Sequence, residues 1–143
     1  MEESFPTIIS RDLRSLCLGD KLGNGISRNV YVWLPNPKYV VKVEDRGGYF
    51  QNTGEWELWG RASGKLKKWL APCKSISGCG IFLIQKRTYP THEKLLPKKV
   101  PSILTDLKEE NFGHLENGRL VCHDYGFLKE QKFKMKKAEW YGR

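Results

Sequence analysis

The stretch that decides the fold of this 143-residue chain is Asp106-Leu107-Lys108-Glu109-Glu110-Asn111, followed later by Asp124-Tyr125-Gly126. It combines two aspartates, a lysine and an asparagine at fixed spacing. Carboxylate and amide oxygens are the ligands that hard divalent cations require. A lysine neutralises phosphate charge, and an aspartate can accept the proton of an attacking hydroxyl. The order of these residues, more than any one of them, indicates a metal and phosphate site.

The residues between the two motifs predict a β-hairpin. Residues 112–115 and 120–122 form short apolar runs, and Glu116-Asn117-Gly118-Arg119 between them carries the Asn-Gly pair typical of a type I′ turn. This hairpin sets the distance between Asn111 and Asp124 that a shared site needs.

Upstream, residues 22–30 predict a glycine-rich hairpin. Gly23 and Gly25 in it let the backbone come close to phosphates, although a glycine hairpin alone is often only a turn. Residues 31–34 then predict a strand, and Pro35-Asn36-Pro37 predicts a turn.

A second strand, residues 39–43, contains one charge, Lys42. A lysine inside an apolar strand is costly without an anionic partner, although an edge position with a snorkelling side chain is the alternative. A helix is predicted next, because Trp56, Trp59, Ala62, Leu66 and Trp69 recur at steps of three or four. Glu55, at the edge of this apolar face, is the predicted partner of Lys42.

Two more strands, residues 73–77 and 80–85, flank a turn at Gly78-Cys79. A connector over residues 86–90 leaves the sheet. The order is therefore three strands, a helix, two strands and a connector.

These motifs resemble the protein-kinase-like superfamily, and most of all the compact kinase-like proteins encoded by bacteriophages. The resemblance covers residues 18–126 and implies an α+β, minimal protein-kinase-like fold. The implied fold is a five-stranded antiparallel sheet with one main helix, plus a truncated C-terminal lobe carrying the catalytic-loop hairpin. A single domain is expected, with residues 1–88 as the N-lobe-like part, 89–126 as the truncated catalytic segment and 127–143 as a basic tail.

The resemblance also implies a role for each matching residue, with ATP and Mg²⁺ as cofactors. Gly23 and Gly25 would cover the phosphates. Lys42 would contact the α- and β-phosphates and pair with Glu55. Residues 86–88, including Lys86 and Thr88, would lie against the adenine. Asp106 would be the catalytic base and Lys108 a phosphate contact. Asn111 and Asp124 would be the metal ligands.

The sequence departs from the family in two places. Leu104-Thr105 stands where protein kinases carry His-Arg, so activation through a phosphorylated segment is not expected. Seventeen residues follow Gly126, with no Ala-Pro-Glu motif and no room for a helical lobe that binds peptide substrate. A substrate would have to bind in another way, or a second copy of the chain would have to rebuild the lobe in a homo-oligomer.

Composition favours a folded globule, with five tryptophans. No apolar run approaches the roughly 20 residues of a membrane span, and Met1-Glu2-Glu3-Ser4 does not resemble a signal peptide. A soluble protein of the cytoplasm, or one packaged in a particle, is expected. None of the four cysteines forms a C-x-x-C pair, so reduced, mostly buried thiols are expected, and a zinc cluster of Cys73, Cys79, Cys122 and His123 is the alternative. His92, His114 and His123 are expected to be exposed or loop histidines.

The net charge of +9 is uneven, and residues 129–143 carry six basic and two acidic side chains among aromatic ones. This pattern suits nucleic acid or an acidic protein, and a solvated amphipathic tail is the alternative.

The leading functional hypothesis is an ATP-dependent phosphotransferase acting on a hydroxyl of a host protein or a small molecule. The alternative is a catalytically inactive binding module: a host-factor inhibitor, a particle component or a nucleic-acid binder.

Overall fold

The computed structural model describes residues 5–45, 48–129 and 131–142, and only the backbone of residues 5–10. Met1-Glu2-Glu3-Ser4 and, from the basic tail, Glu130 and Arg143 lie outside these ranges. The helices are α1 (Phe5–Cys17), α2 (Gln51–Arg61) and α3 (Gly64–Lys67). The strands are β1 (Leu18–Asn24), β2 (Arg28–Trp33), β3 (Tyr39–Glu44), β4 (Cys73–Ile76), β5 (Phe82–Lys86), β6 (Tyr89–Pro90), β7 (Lys99–Pro101), β8 (Phe112–His114), β9 (Leu120–Cys122) and β10 (Met135–Lys137).

The first five strands form one antiparallel sheet in the order β1-β2-β3-β5-β4. This confirms an α+β fold with a five-stranded antiparallel sheet. The glycine hairpin is confirmed as the β1–β2 connection, in which the Gly25 amide donates to the Arg28 carbonyl at 2.8 Å. The predicted turn at residues 35–37 is also confirmed, because the Asn36 amide donates to the Trp33 carbonyl at 3.1 Å.

The predicted helix is wrong in extent, but most of its predicted apolar face does meet the core: Leu66 is buried, and Trp59, Ala62 and Trp69 pack against the core. α2 ends at Arg61, Ala62 is extended, and the Ser63 hydroxyl caps the separate α3 by accepting from the Leu66 amide. Trp56 is 37% exposed, and the buried side of α2 consists of Gln51, Asn52, Glu55 and Leu58. The three polar residues are buried because side chains of the first half of the chain bind them: Ser27 donates to Gln51, and Arg28 donates to Asn52 and Glu55.

The N-terminus of α2 is capped from the sheet. The Glu44 carboxylate at the end of β3 accepts hydrogen bonds from the Gln51 amide at 2.9 Å and from the Asn52 amide at 2.8 Å. A carboxylate at this position satisfies amides that lack an intrahelical partner and complements the helix dipole. α2 is thereby fixed against β3.

The second half of the chain forms two small sheets, β6-β8-β9 and β10-β7. They join the first half through a parallel bridge between Leu70 and Cys122 and through one continuous core. Buried residues of that core come from both halves of the chain, among them Leu58, Leu66, Leu70, Leu83, Val100, Leu104, Leu107, Phe112, Tyr125 and Trp140.

The β8–β9 hairpin is confirmed, but its turn is not type I′. A type I′ turn needs positive φ at both central residues. Gly118 has φ 88°, whereas Phe50 is the one non-glycine residue with positive φ in the described part of the chain. The Gly118 amide donates to the Leu115 carbonyl at 2.8 Å, and the Leu115 amide donates to the Arg119 carbonyl at 2.9 Å. The loop is therefore one residue longer than a two-residue turn.

Within the described ranges, no helix is long and apolar enough to cross a membrane.

Candidate functional site

The predicted ion pair between Lys42 and Glu55 is confirmed. Lys42 Nζ lies 2.8 Å from Glu55 Oε1, and the two side chains are 4% and 0% exposed. Lys42 also donates to the main-chain carbonyl of His123, the residue before Asp124. The lysine thus joins β3 to α2 and to the segment that carries the second half of the motif.

Glu55 is the centre of the cluster because its two carboxylate oxygens accept hydrogen bonds from several surrounding segments. Lys42 and Gln85 Nε2, the latter at 3.2 Å, donate to Oε1 from the sheet. The Tyr125 amide donates to Oε2 at 3.0 Å. Burial alone would raise the pKa of this carboxyl, but the charges of Arg28 and Lys42 outweigh burial and lower the pKa to about 2. Glu55 is therefore a fixed anion.

Arg28 is a buried cation that the sequence analysis did not assign to the site. Its guanidinium binds Glu55 bidentately, at 2.9 Å through Nη1 and 2.7 Å through Nη2. Nη1 also donates to Asn52 Oδ1 at 3.1 Å, and Nη2 donates to Asp124 Oδ1 at 3.0 Å. Burial opposes its charge, yet the neighbouring carboxylates raise the pKa of Arg28. Arg28 links the glycine hairpin to α2 and to Asp124.

Strand register explains why Arg28 enters the cluster. Arg28 pairs with Glu44 and Val30 pairs with Lys42, so Arg28 and Lys42 lie on the same face of adjacent strands. In the sequence, Arg28 stands two residues before Val30, which faces the same side of the sheet as Lys42. Whether Arg28 reaches the cluster depended on a strand register that the sequence alone did not fix.

Asp124 is held beside the ion pair while remaining accessible. Its side chain is 42% exposed, and only one of its carboxylate oxygens, Oδ1, has a partner among the described residues, which is Arg28. The following Gly126 approaches the α2 backbone so closely that a Cβ built on it would lie 2.6 Å from the Gln51 carbonyl oxygen. Only glycine fits there, which accounts for the third residue of the Asp124-Tyr125-Gly126 motif.

Tyr125 anchors this motif in the core. Its side chain is 1% exposed, and its hydroxyl donates to the Ala71 carbonyl at 2.7 Å. Burial raises the pKa of Tyr125, which therefore stays protonated. Tyr125 therefore fixes the segment in the core, while the side chain of Asp124 faces solvent.

His123 lies in the bend after β9, as expected of a loop histidine, but both of its ring nitrogens are engaged in hydrogen bonds. Its Nδ1 lies 2.7 Å from Thr88 Oγ1, and its Nε2 lies 2.7 Å from the Glu110 carbonyl oxygen. Because a carbonyl only accepts, Nε2 carries the proton and the Thr88 hydroxyl donates to Nδ1. Burial, followed by the nearby Lys42 charge, lowers the pKa of His123 to about 4. A neutral His123 thus brings Thr88 to the cluster.

Asn111 is buried, and Asp106 and Lys108 are exposed. Asn111 Nδ2 donates to the Asp106 carbonyl at 3.1 Å, which fixes the loop that presents the Asp106 side chain. The Asn111 carbonyl accepts from the His123 amide at 2.9 Å, so the two motifs are joined through the main chain. The side chain of Lys108 lies over Tyr141, with its Nζ 5.7 Å from the centre of the Tyr141 ring.

Three predicted cofactor-binding residues lie apart from this cluster. The Lys86 side chain lies on the sheet face opposite to Gln85 and Glu55, with Nζ 4.9 Å from the centre of the Tyr39 ring. Gly23 and Gly25 lie at the β1–β2 connection, where an added Cβ on either would meet no atom within 4 Å. Packing inside the chain therefore gives no reason for glycine at these two positions.

The cysteines of this chain are poor zinc ligands. All four cysteines are free, with Cys79 exposed and Cys73 and Cys122 buried. Burial raises the pKa of both buried thiols, which disfavours the thiolates that zinc requires. Across the described ranges, no three His, Cys, Asp or Glu side chains converge as a metal site. Asn111 and Asp124 offer oxygen ligands, which fit an ion that keeps water and phosphate in its shell.

Comparison of the chain with protein-family models and with curated proteins found no match.

Proposed function

We propose that the chain is a compact kinase-like protein that binds Mg-ATP and transfers the γ-phosphoryl group to a hydroxyl of a protein or small molecule. The observation that carries this proposal is the buried Lys42–Glu55 pair, bonded on one side to Arg28 at the glycine hairpin and on the other to residues 123–125. Four segments distant in sequence converge here, and the Lys42–Glu55 pair among them is the pair that the kinase-like resemblance implies.

Lys42 is suited to binding phosphate. An ammonium group has three hydrogen-bond donors, and Glu55 and the His123 carbonyl take two of them. No other described residue takes the third donor, which is available for a phosphate oxygen. Glu55 stays ionised and holds Lys42 in position, because the pKa of Glu55 is about 2.

Asn111 and Asp124 are the residues that would hold Mg²⁺, which when bound neutralises phosphate charge. The partial exposure of Asp124, and the second carboxylate oxygen that no described residue binds, support this assignment. The proposal does not need a third protein ligand, since Mg²⁺ is commonly bound by one or two carboxylates together with substrate phosphates.

Asp106 is the proposed base. The acceptor oxygen attacks the γ-phosphorus as the bond to the β–γ bridging oxygen breaks, ADP leaves, and the hydroxyl proton passes to the Asp106 carboxylate. Asp106 is exposed, so an acceptor reaches it from solvent. Rate enhancement would come mainly from positioning and electrostatic stabilisation.

The activity is tested by measuring ADP release from ATP with Mg²⁺, in the absence and presence of candidate hydroxyl acceptors. Asp106→Asn should lower the rate at least about 100-fold, the usual range for losing a general base, while ATP affinity stays within about threefold. Asp20→Asn, an exposed aspartate in β1, is the matched control. Equal rates for wild type and Asp106→Asn would refute the catalytic assignment.

One observation favours a second candidate, a kinase-like binding module without catalysis. Arg28 already neutralises Asp124 at 3.0 Å, which weakens the attraction of that carboxylate for a cation. A module of this kind would bind its partner equally well with and without nucleotide, which separates it from the phosphotransferase.

A further inference from the structure

The basic tail is a folded part of the molecule. β10 pairs with β7 in the register Lys99 with Lys137, Val100 with Lys136 and Pro101 with Met135. Two flanking hydrogen bonds extend the ribbon: the Ser102 amide donates to the Lys134 carbonyl, and the Ala138 amide donates to the Lys98 carbonyl, both at 2.8 Å. We call residues 98–102 with 134–138 the lysine ribbon.

The lysine ribbon is anchored to the core on one side. Val100 is 0% exposed, and Trp140, just after the ribbon, is 9% exposed. The Trp140 indole donates to the Pro97 carbonyl at 2.9 Å, and its ring packs edge-on against Phe112 with centroids 4.8 Å apart. The ribbon therefore presents its outer side in a fixed position, and a partner would not have to order it.

Four lysines of the ribbon are exposed: Lys99 and Lys137 face away from Val100, whereas Lys98 and Lys134 lie at its two ends on the Val100 side. None of these four lysines forms an ion pair within the described part of the chain. Lys99 and Lys137 stand directly opposite each other, an arrangement that destabilises a strand pair. Folding gives no reason for this concentration of charge, whereas an anionic partner does.

The surface continues to an exposed aromatic ring. Tyr141 is 60% exposed, and its amide donates to the Leu107 carbonyl at 3.0 Å, which ties the end of the tail to the loop of Asp106. Lys108 lies over the same ring. The fixed lysines thus lead to an aromatic side chain that is available for stacking.

We propose that the lysine ribbon binds single-stranded nucleic acid, with phosphates along its lysines and a base stacked on Tyr141. Stacking platforms beside basic tracks are how proteins hold single strands without reading sequence. A protein partner is disfavoured because protein interfaces are depleted in lysine and have an apolar core, whereas four exposed lysines dominate this ribbon. The proposal is independent of the nucleotide site.

The test is fluorescence anisotropy with labelled single-stranded DNA and RNA of mixed sequence, titrated at several salt concentrations. Lys98→Gln, Lys99→Gln, Lys134→Gln and Lys137→Gln combined should weaken binding at least about tenfold. The slope of log affinity against log salt should fall by about 3, since each phosphate contact contributes about 0.7 for single strands. The matched control combines Lys21→Gln, Lys38→Gln, Lys65→Gln and Lys68→Gln, four exposed lysines elsewhere, and should bind like wild type.

Tyr141 provides an independent arm of the experiment. Tyr141→Phe keeps a stacking ring and should bind within about twofold of wild type, whereas Tyr141→Leu should lose about fivefold or more, because stacking contributes about 1–3 kcal/mol per base. Circular dichroism verifies that each variant is folded. Equal weakening by the ribbon and control quadruple variants would overturn the proposal. Tighter binding to polyglutamate, or to vesicles of phosphatidylserine, would overturn it as well.

Discussion

Arg28 shows how one side chain decides the character of this site. It is 4% exposed and contacts two carboxylates and an amide from two separate segments, α2 and the segment that carries Asp124. A buried charge of this kind is tolerated only when partners surround it. Lys42 could be assigned to the site from sequence because it was the one charge in an apolar strand. Arg28 follows a polar turn, where an arginine is unremarkable, so its role became visible only with the strand register.

Replacing Arg28 should destabilise the fold. Arg28→Met leaves Glu55 with Lys42 as its one cation and leaves Asp124 without its partner, so the free energy of unfolding in urea should fall by about 3 kcal/mol, typical of breaking a buried pair. Arg119→Met is the control, an exposed arginine in the β8–β9 loop, and should change stability by less than about 0.5 kcal/mol. Equal effects would show that the Arg28 contacts contribute nothing.

His123 predicts a dependence of stability on pH. Its folded pKa of about 4 lies below the ordinary value of 6.5, so the unfolded state takes up the proton first as the pH falls. The contribution of His123 to the free energy of unfolding is present above about pH 6.5. It is lost as the pH falls from 6.5 to about 4. Urea unfolding should show a loss of about 1–2 kcal/mol from about pH 7 to about pH 5. His123→Gln should remove most of this slope, and His92→Gln, an exposed histidine, should keep it. An unchanged slope in His123→Gln would contradict the assignment.

At the scale of elements, the strands were more predictable than the helix. The strands carry runs of β-branched and aromatic residues between turn residues, and both hairpins fell where glycine and asparagine indicated. The start of α2 could not be predicted in this way, because the inner face of its first turns holds Gln51, Asn52 and Glu55. The side chains of these residues are bound inside by Ser27, Arg28 and Lys42. Local periodicity carries no information about such tertiary partners.

The same limit applies to the candidate site. The Lys42–Glu55 pair followed from the need of a buried lysine for an anion. The hydrogen bonds of His123 to Thr88 and to the Glu110 carbonyl join three segments, and nothing local in the sequence specified them. The side-chain direction of Lys86 was equally hidden, because it depends on which residue of β5 faces α2.

Two glycines of α2 allow the packing between α2 and the Asp124-Tyr125-Gly126 segment to be tested. A Cβ on Gly54 would lie 2.1 Å from the Gly126 carbonyl oxygen, whereas one on Gly60 would meet nothing within 4 Å. Gly54→Ala should therefore lower the free energy of unfolding by about 2 kcal/mol through overpacking. Gly60→Ala should raise it by about 0.5–1 kcal/mol, because alanine is the better helix former. Thermal unfolding of both variants measures this, and a neutral Gly54→Ala would refute the close packing.

At the scale of the whole molecule, the charges divide into a balanced interior and an unbalanced surface. Inside, Arg28 and Lys42 face Glu55 and Asp124. The net charge of +9 therefore lies outside the cluster, and the lysine ribbon carries a concentrated share of it. The interior suits a bound nucleotide, and the ribbon suits a polyanion. The two proposals thus rest on separate parts of one fold and can fail separately.

The measurement that tests the central claim most directly is calorimetric titration of Mg-ATP into wild type, Asp124→Ala and Asp20→Ala. Asp124 is 42% exposed, so its removal should leave the fold intact, which thermal unfolding verifies. Wild type and Asp20→Ala should bind one equivalent, and Asp124→Ala should bind at least about tenfold more weakly, a difference of about 1.4 kcal/mol. Absence of binding in wild type, or equal affinity in Asp124→Ala, would contradict the proposed nucleotide site.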